Sequence, residues 1–218
     1  MAVIAIDGPA GAGKSTVAKA VALKTGLPYL DTGAMYRCVA LAVMRSNIDL
    51  SHAEQAGEIA AHANIIVEKD TAHLNGEDVS AEIRLPEVSS VVSIIAAHSP
   101  VRDAMRKQQR AWIASHQGGV VEGRDIGTVV IPDADVKIFL TASPEVRAER
   151  RVAQIGGDVK EVASGIAERD RIDSTREDSP LRPAENAIIV DSSHRAIESV
   201  VDEIVGHFQQ FISEANHG

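Results

Sequence analysis

Gly8-Pro9-Ala10-Gly11-Ala12-Gly13-Lys14-Ser15 follows the short apolar run Val3-Ile4-Ala5-Ile6 and precedes Thr16-Val17-Ala18-Lys19-Ala20-Val21-Ala22-Leu23. The octet has the form G-x-x-x-x-G-K-[ST], the P-loop pattern, set in the strand–loop–helix context the pattern needs. Its glycines let the backbone curl so that several N–H groups converge on one anion. The helix that opens at Gly13 adds its positive end. In this pattern Lys14 reaches the β- and γ-phosphates and the Ser15 hydroxyl serves Mg²⁺. The stretch from Gly8 to Thr16 thus reads as an ATP-binding loop in an α/β protein.

The rest of the composition agrees. A chain of 218 residues accommodates one α/β domain with a full core. Aromatics make up only 3% of it, and a core of Val, Ile, Leu and Ala suits a parallel sheet covered on both faces. The formal net charge of −9 makes the chain a poor general binder of nucleic acid or anionic membrane. Phosphates must be held by local basic clusters set against that field. Cys38 is the single cysteine, which excludes an intramolecular disulfide and a thiolate metal site. The first apolar run is too short for a signal peptide or a membrane span, so a cytoplasmic protein is expected.

Further short apolar runs occur at Pro28-Tyr29-Leu30, Gly119-Val120-Val121, Val136–Leu140 and Ala187–Val190. With Val3–Ile6 they make five candidate strands of one parallel sheet. They end near Asp7, Asp31, Glu122, Thr141 and Asp191, and ligands of open α/β sheets bind beyond such strand ends. Helices are expected at about 13–24, 33–46, 52–62, 100–115, 144–154, 159–171 and 195–213. In the last, Ile197, Val200, Val201, Ile204, Val205, Phe208 and Phe211 form a stripe at helical spacing, read as core packing. Residues 64–83 break the rhythm and read as strand, turn, strand, with Asn75-Gly76 as the turn. This small antiparallel insertion is either a substrate-side module or a surface hairpin. No repeat, linker or exposed apolar stripe is evident, so a single domain and a monomer are expected.

Two P-loop classes compete. Switch GTPases carry N-K-x-D for the guanine, and no Asn here is followed by Lys. A small-molecule kinase instead needs a second anion site, and the arginines suit it. Arg37 follows Asp31-Thr32-Gly33, and Arg124-Asp125 follows the strand ending at Glu122. Arg147, Arg150 and Arg151 share one helix face. Arg169, Arg171 and Arg176 flank Asp170 and Asp173. Arginine suits phosphoryl transfer because its planar fork grips phosphate oxygens and stays charged. Residues of about 147–165, with Gly156-Gly157 at the turn, read as a short Arg-rich lid that excludes water from the reaction.

Taken with the P-loop, four segments resemble bacterial cytidylate kinases: Ile4–Ser15, Leu30-Asp-Thr-Gly-Ala-Met-Tyr-Arg37, Glu122-Gly-Arg-Asp-Ile-Gly-Thr-Val-Val130 and Glu168-Arg-Asp-Arg-Ile-Asp-Ser-Thr-Arg176. Gly76–Arg84 and Val101–Arg110 match as well, and the order holds from about residue 3 to 211. The resemblance implies ATP + (d)CMP → ADP + (d)CDP with Mg²⁺. It implies that Arg37, Arg124 and Arg176 hold the CMP phosphate and that Thr32, Arg169 and Asp173 lie at the ribose. Ser93, Arg102 and Asp125 would read the cytosine edge. Lys14, Arg124, Arg150 and Arg176 would serve the transferring phosphoryl, and Ser15 with Glu122, the latter through water, the metal. The insertion at about 62–95 would be the nucleoside-monophosphate-binding module. Two departures stand out. Thr32 replaces the Ser of many relatives and keeps the hydroxyl, while Glu122 stands where an Asp is common. Another small-molecule P-loop kinase with a different acceptor is the alternative.

Overall fold

The computed structural model describes residues 2–68 and 70–215. Five parallel strands form the central sheet in the order β2-β6-β1-β7-β8. They are β1 (Ala2–Asp7), β2 (Tyr29–Asp31), β6 (Gly118–Gly123), β7 (Val136–Thr141) and β8 (Ile188–Asp191). β1 is central, pairing Ile6 with Glu122 of β6 and Asp7 with Phe139 of β7. A central strand flanked on both edges and covered on both faces must be apolar throughout. Val3 to Ile6 are accordingly all buried.

One face of the sheet is covered by α1 (Lys14–Thr25) and α8 (Ile197–Ala215), which pack on each other. Val17, Val21, Val200, Val201 and Ile204 meet Ile4, Ile138 and Leu140 there. The C-terminal stripe is therefore core as expected, except that Ile197 is half exposed. The other face carries α2 (Thr32–Arg45), α3 (Ala53–His62), α4 (Pro86–Ala97) and α5 (Ser99–Ser115). These bury Met35, Val39, Ile95, Val101 and Met105 together with Leu30 and Val121.

The insertion differs in detail from the expected hairpin. It is a three-stranded antiparallel sheet of β3 (Ile65–Glu68), β4 (Thr71–Leu74) and β5 (Glu77–Asp78). Asn75-Gly76 turns β4 into the short β5, with Asn75 in the left-handed region at φ 53°. β3 already pairs antiparallel with β4, Glu68 opposite Thr71, so the chain reverses once before the Asn-Gly signal. The helix α4 was not expected from the sequence. Its Val88, Val92 and Ile95 are buried against its neighbours, so packing outweighs a Val- and Ser-rich composition of poor helix formers.

After β7 the chain forms α6 (Pro144–Ile155) and α7 (Val159–Thr175), antiparallel partners joined at Gly156-Gly157. Ser143 caps α6, accepting from Val146 N at 3.3 Å, and Asp158 caps α7, accepting from Lys160 N at 2.9 Å. α7 also packs on α4, so the helical hairpin and the insertion meet over the carboxyl end of the sheet. Among the described residues no helix is long and apolar enough to cross a membrane.

Candidate active site

The P-loop leaves β1 at Gly8 with φ 155°, and a side chain there would lie 2.0 Å from the Leu140 carbonyl oxygen of β7. Only glycine fits so close an approach. Gly13 at φ 90° is the left-handed N-cap of α1. Lys14 is buried and donates to Pro9 O at 2.8 Å, across the loop's own mouth. Burial, then the Arg124 and Arg169 charges, press its ammonium well below the usual lysine range. An anion in the loop would relieve each of these penalties.

Ser15 donates to Glu122 Oε2 at 3.1 Å, and Tyr29 donates to the other carboxylate oxygen. Burial and the nearby Asp31 raise the Glu122 carboxyl, against the pull of Lys14. Thr32 anchors the start of α2, its hydroxyl donating to Glu122 O at 2.6 Å. The longer Glu122 thus reaches the P-loop serine because Tyr29 holds its far oxygen.

The arginines converge as expected, and they are undercompensated. Arg37 donates to Ile83 O at 3.1 Å and Ser89 Oγ at 2.8 Å. Burial, then repulsion from Arg151, pull it down to about 10. Arg169 is pulled down to about 9 by burial and by Arg124 and Arg37, and its Nε is buried without a hydrogen-bond partner. A guanidinium remains charged at neutral pH, so these shifts measure positive charge awaiting an anion. Arg124 Nε donates to Asp173 Oδ2 at 2.9 Å, and Arg176 Nη1 lies 3.7 Å from Asp173 Oδ1. Burial alone would raise Asp173, but Arg124, Arg169 and Arg176 outweigh it and hold the carboxyl low.

Beside this cluster lies a second, charge-paired group. Arg102, 1% exposed, donates to Asp125 Oδ2 at 2.5 Å and to Ala96 O at 3.0 Å. Its guanidinium sits 5.5 Å from the centre of the Tyr36 ring. Arg176 Nη2 lies 3.8 Å from Asp125 Oδ1. Asp125 is thus bracketed by two guanidiniums. Ser93 is buried on α4. The expected residues of both nucleotide sites therefore occupy one strip of the sheet's carboxyl end.

Arg150 stands apart. It donates to Ser192 O at 2.7 Å and Ser192 Oγ at 2.9 Å, and reaches Ala12 O only at 3.5 Å. It braces the back of the P-loop. Arg171 is exposed and pairs with Glu168 at 2.7 Å, a surface contact.

Three residues had no site role in the sequence reading: Asp7, Tyr29 and Asp170. Asp7 accepts from Ile126 N at 2.9 Å and Gly127 N at 2.8 Å, tying the P-loop's entry to the loop that carries Arg124-Asp125. Burial raises it to about 6. Asp170 accepts from Ala10 N at 3.1 Å and pairs with Arg147, which donates to Ala10 O at 3.0 Å. The α6–α7 hairpin thereby holds P-loop residue Ala10 by both its N–H and its carbonyl. Tyr29 and Asp170 carry no motif signal, being an ordinary strand end and one of many helix acids. Asp7 lay in view as the strand's last residue.

The chain matches the cytidylate kinase family over residues 4–210. It is 49% identical to the cytidylate kinase of Pelotomaculum thermopropionicum, the match covering 93% of each chain. It is 48% identical to that of Caldanaerobacter subterraneus subsp. tengcongensis over 92% of each. A gluconokinase structure from Sinorhizobium meliloti superposes with a TM-score of 0.53 at 15% identity, covering 100% of this chain and 97% of that one. At that identity the likeness establishes the P-loop kinase fold alone. By the match along nearly its whole length, this chain belongs to the cytidylate kinase family.

Proposed function

We propose that the chain transfers the γ-phosphoryl group of ATP to CMP or dCMP, with Lys14 and the P-loop amides on the donor and Arg37, Arg124, Arg169 and Arg176 on the acceptor. The observation that carries this reading is the undercompensated guanidinium cluster facing the P-loop beside the Arg102–Asp125 pair. Donor and acceptor phosphates are both anions, so the chemical problem is alignment and charge neutralisation. Buried arginines with depressed affinity for their protons meet that need, since binding the acceptor phosphate repays their desolvation. The acceptor is already a phosphate oxygen and needs no strong general base. Closure of α6–α7 over the P-loop excludes the water that would otherwise hydrolyse ATP.

Asp125 supports the cytosine preference. An ionised carboxylate only accepts hydrogen bonds, and cytosine presents an amine where uracil presents a carbonyl. Arg102, with Ser93, supplies donors for the other edge. Thr32 and Asp173 serve the ribose.

Ser15 and Glu122 fit a divalent metal site of limited extent. Both present hard oxygen donors, and among the described residues no group of three His, Cys, Asp or Glu forms a protein cage. That suits Mg²⁺, which keeps several waters and is held largely by substrate phosphates. When bound it would neutralise charge on the transferring phosphoryl group. The lack of an exposed apolar stripe in the sequence supports a monomer, working on the nucleotides of the cytoplasm. Residues 62–95 then act as the acceptor-binding module and 147–165 as the lid. A panel of CMP, dCMP, UMP, AMP, GMP and shikimate with ATP·Mg²⁺ tests the reading: CMP and dCMP should turn over best, and preference for another acceptor would refute it.

A further inference from the structure

The segment leaving α7 contains two residues without a role so far, Asp178 and Ser179. Both lie against α5. Asp178 accepts from Arg106 through both oxygens, Nη1 to Oδ1 at 2.8 Å and Nη2 to Oδ2 at 3.3 Å. Ser179 Oγ donates to Asp178 at 2.6 Å and accepts from Arg106 at 3.0 Å. Arg106 is fixed in turn by Asp103 at 2.5 Å.

A second guanidinium faces the same carboxylate. Arg102 Nε lies 3.6 Å from Asp178 Oδ1. Its two other nitrogens are committed to Ala96 O and Asp125, and its Nε is buried with no hydrogen-bond partner. Charge attraction to Asp178 is therefore what fixes that end of a side chain with no access to water. Next along the chain, Ser179 O accepts from Arg176 Nε at 2.7 Å. One dipeptide thus steadies both guanidiniums that bracket Asp125, one through a carboxylate and one through a carbonyl.

We propose that Asp178, braced by Arg106, is a positioning residue that sets the Arg102 guanidinium and, through it, the Asp125 carboxylate, and so sharpens the choice between pyrimidine bases. The inference rests on the reading that Asp125 faces the base. A planar fork responds to the loss of one of two carboxylates by rotating toward the other. Without the Asp178 charge, Arg102 turns on Asp125 and displaces the oxygen meant for the cytosine amine. The donor site is untouched, because Asp178 has no contact with the P-loop.

The test compares the full chain with Asp178→Asn and Asp178→Glu, using KM and kcat for CMP, UMP and ATP and the melting temperature. Asp178→Asn should raise the KM for CMP and lower the CMP/UMP ratio of kcat/KM, each by about tenfold. The KM for ATP and kcat at saturating CMP should stay within about twofold, and Asp178→Glu should recover most of the ratio. An unchanged ratio in Asp178→Asn overturns the inference while leaving the kinase reading intact. A uniform fall in every constant, with a lower melting temperature and no recovery in Asp178→Glu, overturns it in favour of a structural role. If Asp178→Asn does not fold, Arg106→Gln removes the brace alone and should narrow the ratio about threefold, an unchanged ratio again overturning the inference. A wild-type chain that takes CMP and UMP alike would overturn the Asp125 reading and this inference with it.

Discussion

Replacing Asp125 by Asn changes one oxygen to an amide nitrogen and separates stability from specificity. The carboxylate stands between Arg102 at 2.5 Å and Arg176 at 3.8 Å, both nearly inaccessible to water. Leaving a buried charge wholly uncompensated costs about 3–5 kcal/mol. Here Arg102 keeps Asp178 at 3.6 Å and Arg176 keeps Asp173 at 3.7 Å, so the loss should be nearer 2 kcal/mol. In a chain of this size that lowers the melting temperature by about 4–8 °C. Specificity changes by a separate route. For CMP, a charge-assisted hydrogen bond weakens to a neutral one, costing about 1 kcal/mol. For UMP, the new amide can donate to the uracil carbonyl, relieving two opposed acceptors by about 1–3 kcal/mol. Together these narrow the CMP/UMP ratio of kcat/KM by about 30- to 1,000-fold. Steady-state ADP production with each acceptor, beside thermal melting, gives both numbers. A lower melting temperature with an unchanged ratio would refute base reading by Asp125 and leave it only a structural charge.

Three other outcomes are expected. Lys14→Ala should depress phosphoryl transfer by about a thousandfold or more with the circular dichroism intact; near-normal kcat would remove Lys14 from the reaction. Asp170→Asn should raise the KM for ATP about tenfold and leave that for CMP unchanged, because its partners are Ala10 and Arg147; an equal change in both would refute the lid-to-P-loop grip. For Asp7, the folded carboxyl titrates at about 6 against 3.8 ordinarily. A raised folded value contributes stability that is full below pH 3.8 and lost as pH rises through about 6. Wild type should therefore lose up to about 3 kcal/mol over that window relative to Asp7→Asn. Urea unfolding of both proteins at pH 4 and 7 checks it, and parallel pH dependences would contradict it.

The parts legible in the sequence share a property: their residue types are dictated locally. The P-loop needs glycine at Gly8 because the Leu140 carbonyl leaves no room for a side chain, and that necessity prints as a motif. β1 is buried on both faces and prints as an unbroken apolar run. The helix α4 is different. It opens with Pro86, which does signal a helix start, but Val88, Ser89, Ser90, Val91, Val92 and Ser93 are poor helix formers, and only packing on α2, α5 and α7 decides the outcome. The insertion's Asn75-Gly76 signal was sound as a turn, yet gave no count of the strands around it.

The site divides the same way. Arg37, Arg124, Arg169 and Arg176 stood out because arginines after strands and in one dense stretch are unusual in so acidic a chain. Asp178 and Tyr29 act only through partners far along the sequence, at Arg102 and Glu122, and no local spacing announces such a pairing. Arg150 shows the converse limit. Its place among the arginines of that helix suggested the phosphoryl group, and no local spacing announced the bonds to Ser192 that hold it beside Ala12 of the P-loop.

The most direct test of the account is ADP production with ATP·Mg²⁺ and each candidate acceptor at equal concentration. Strong turnover with CMP and dCMP, weak turnover with UMP and none above background with AMP, GMP or shikimate is the expected result. Faster turnover with any other acceptor, or tight ATP binding without transfer to CMP, would contradict it.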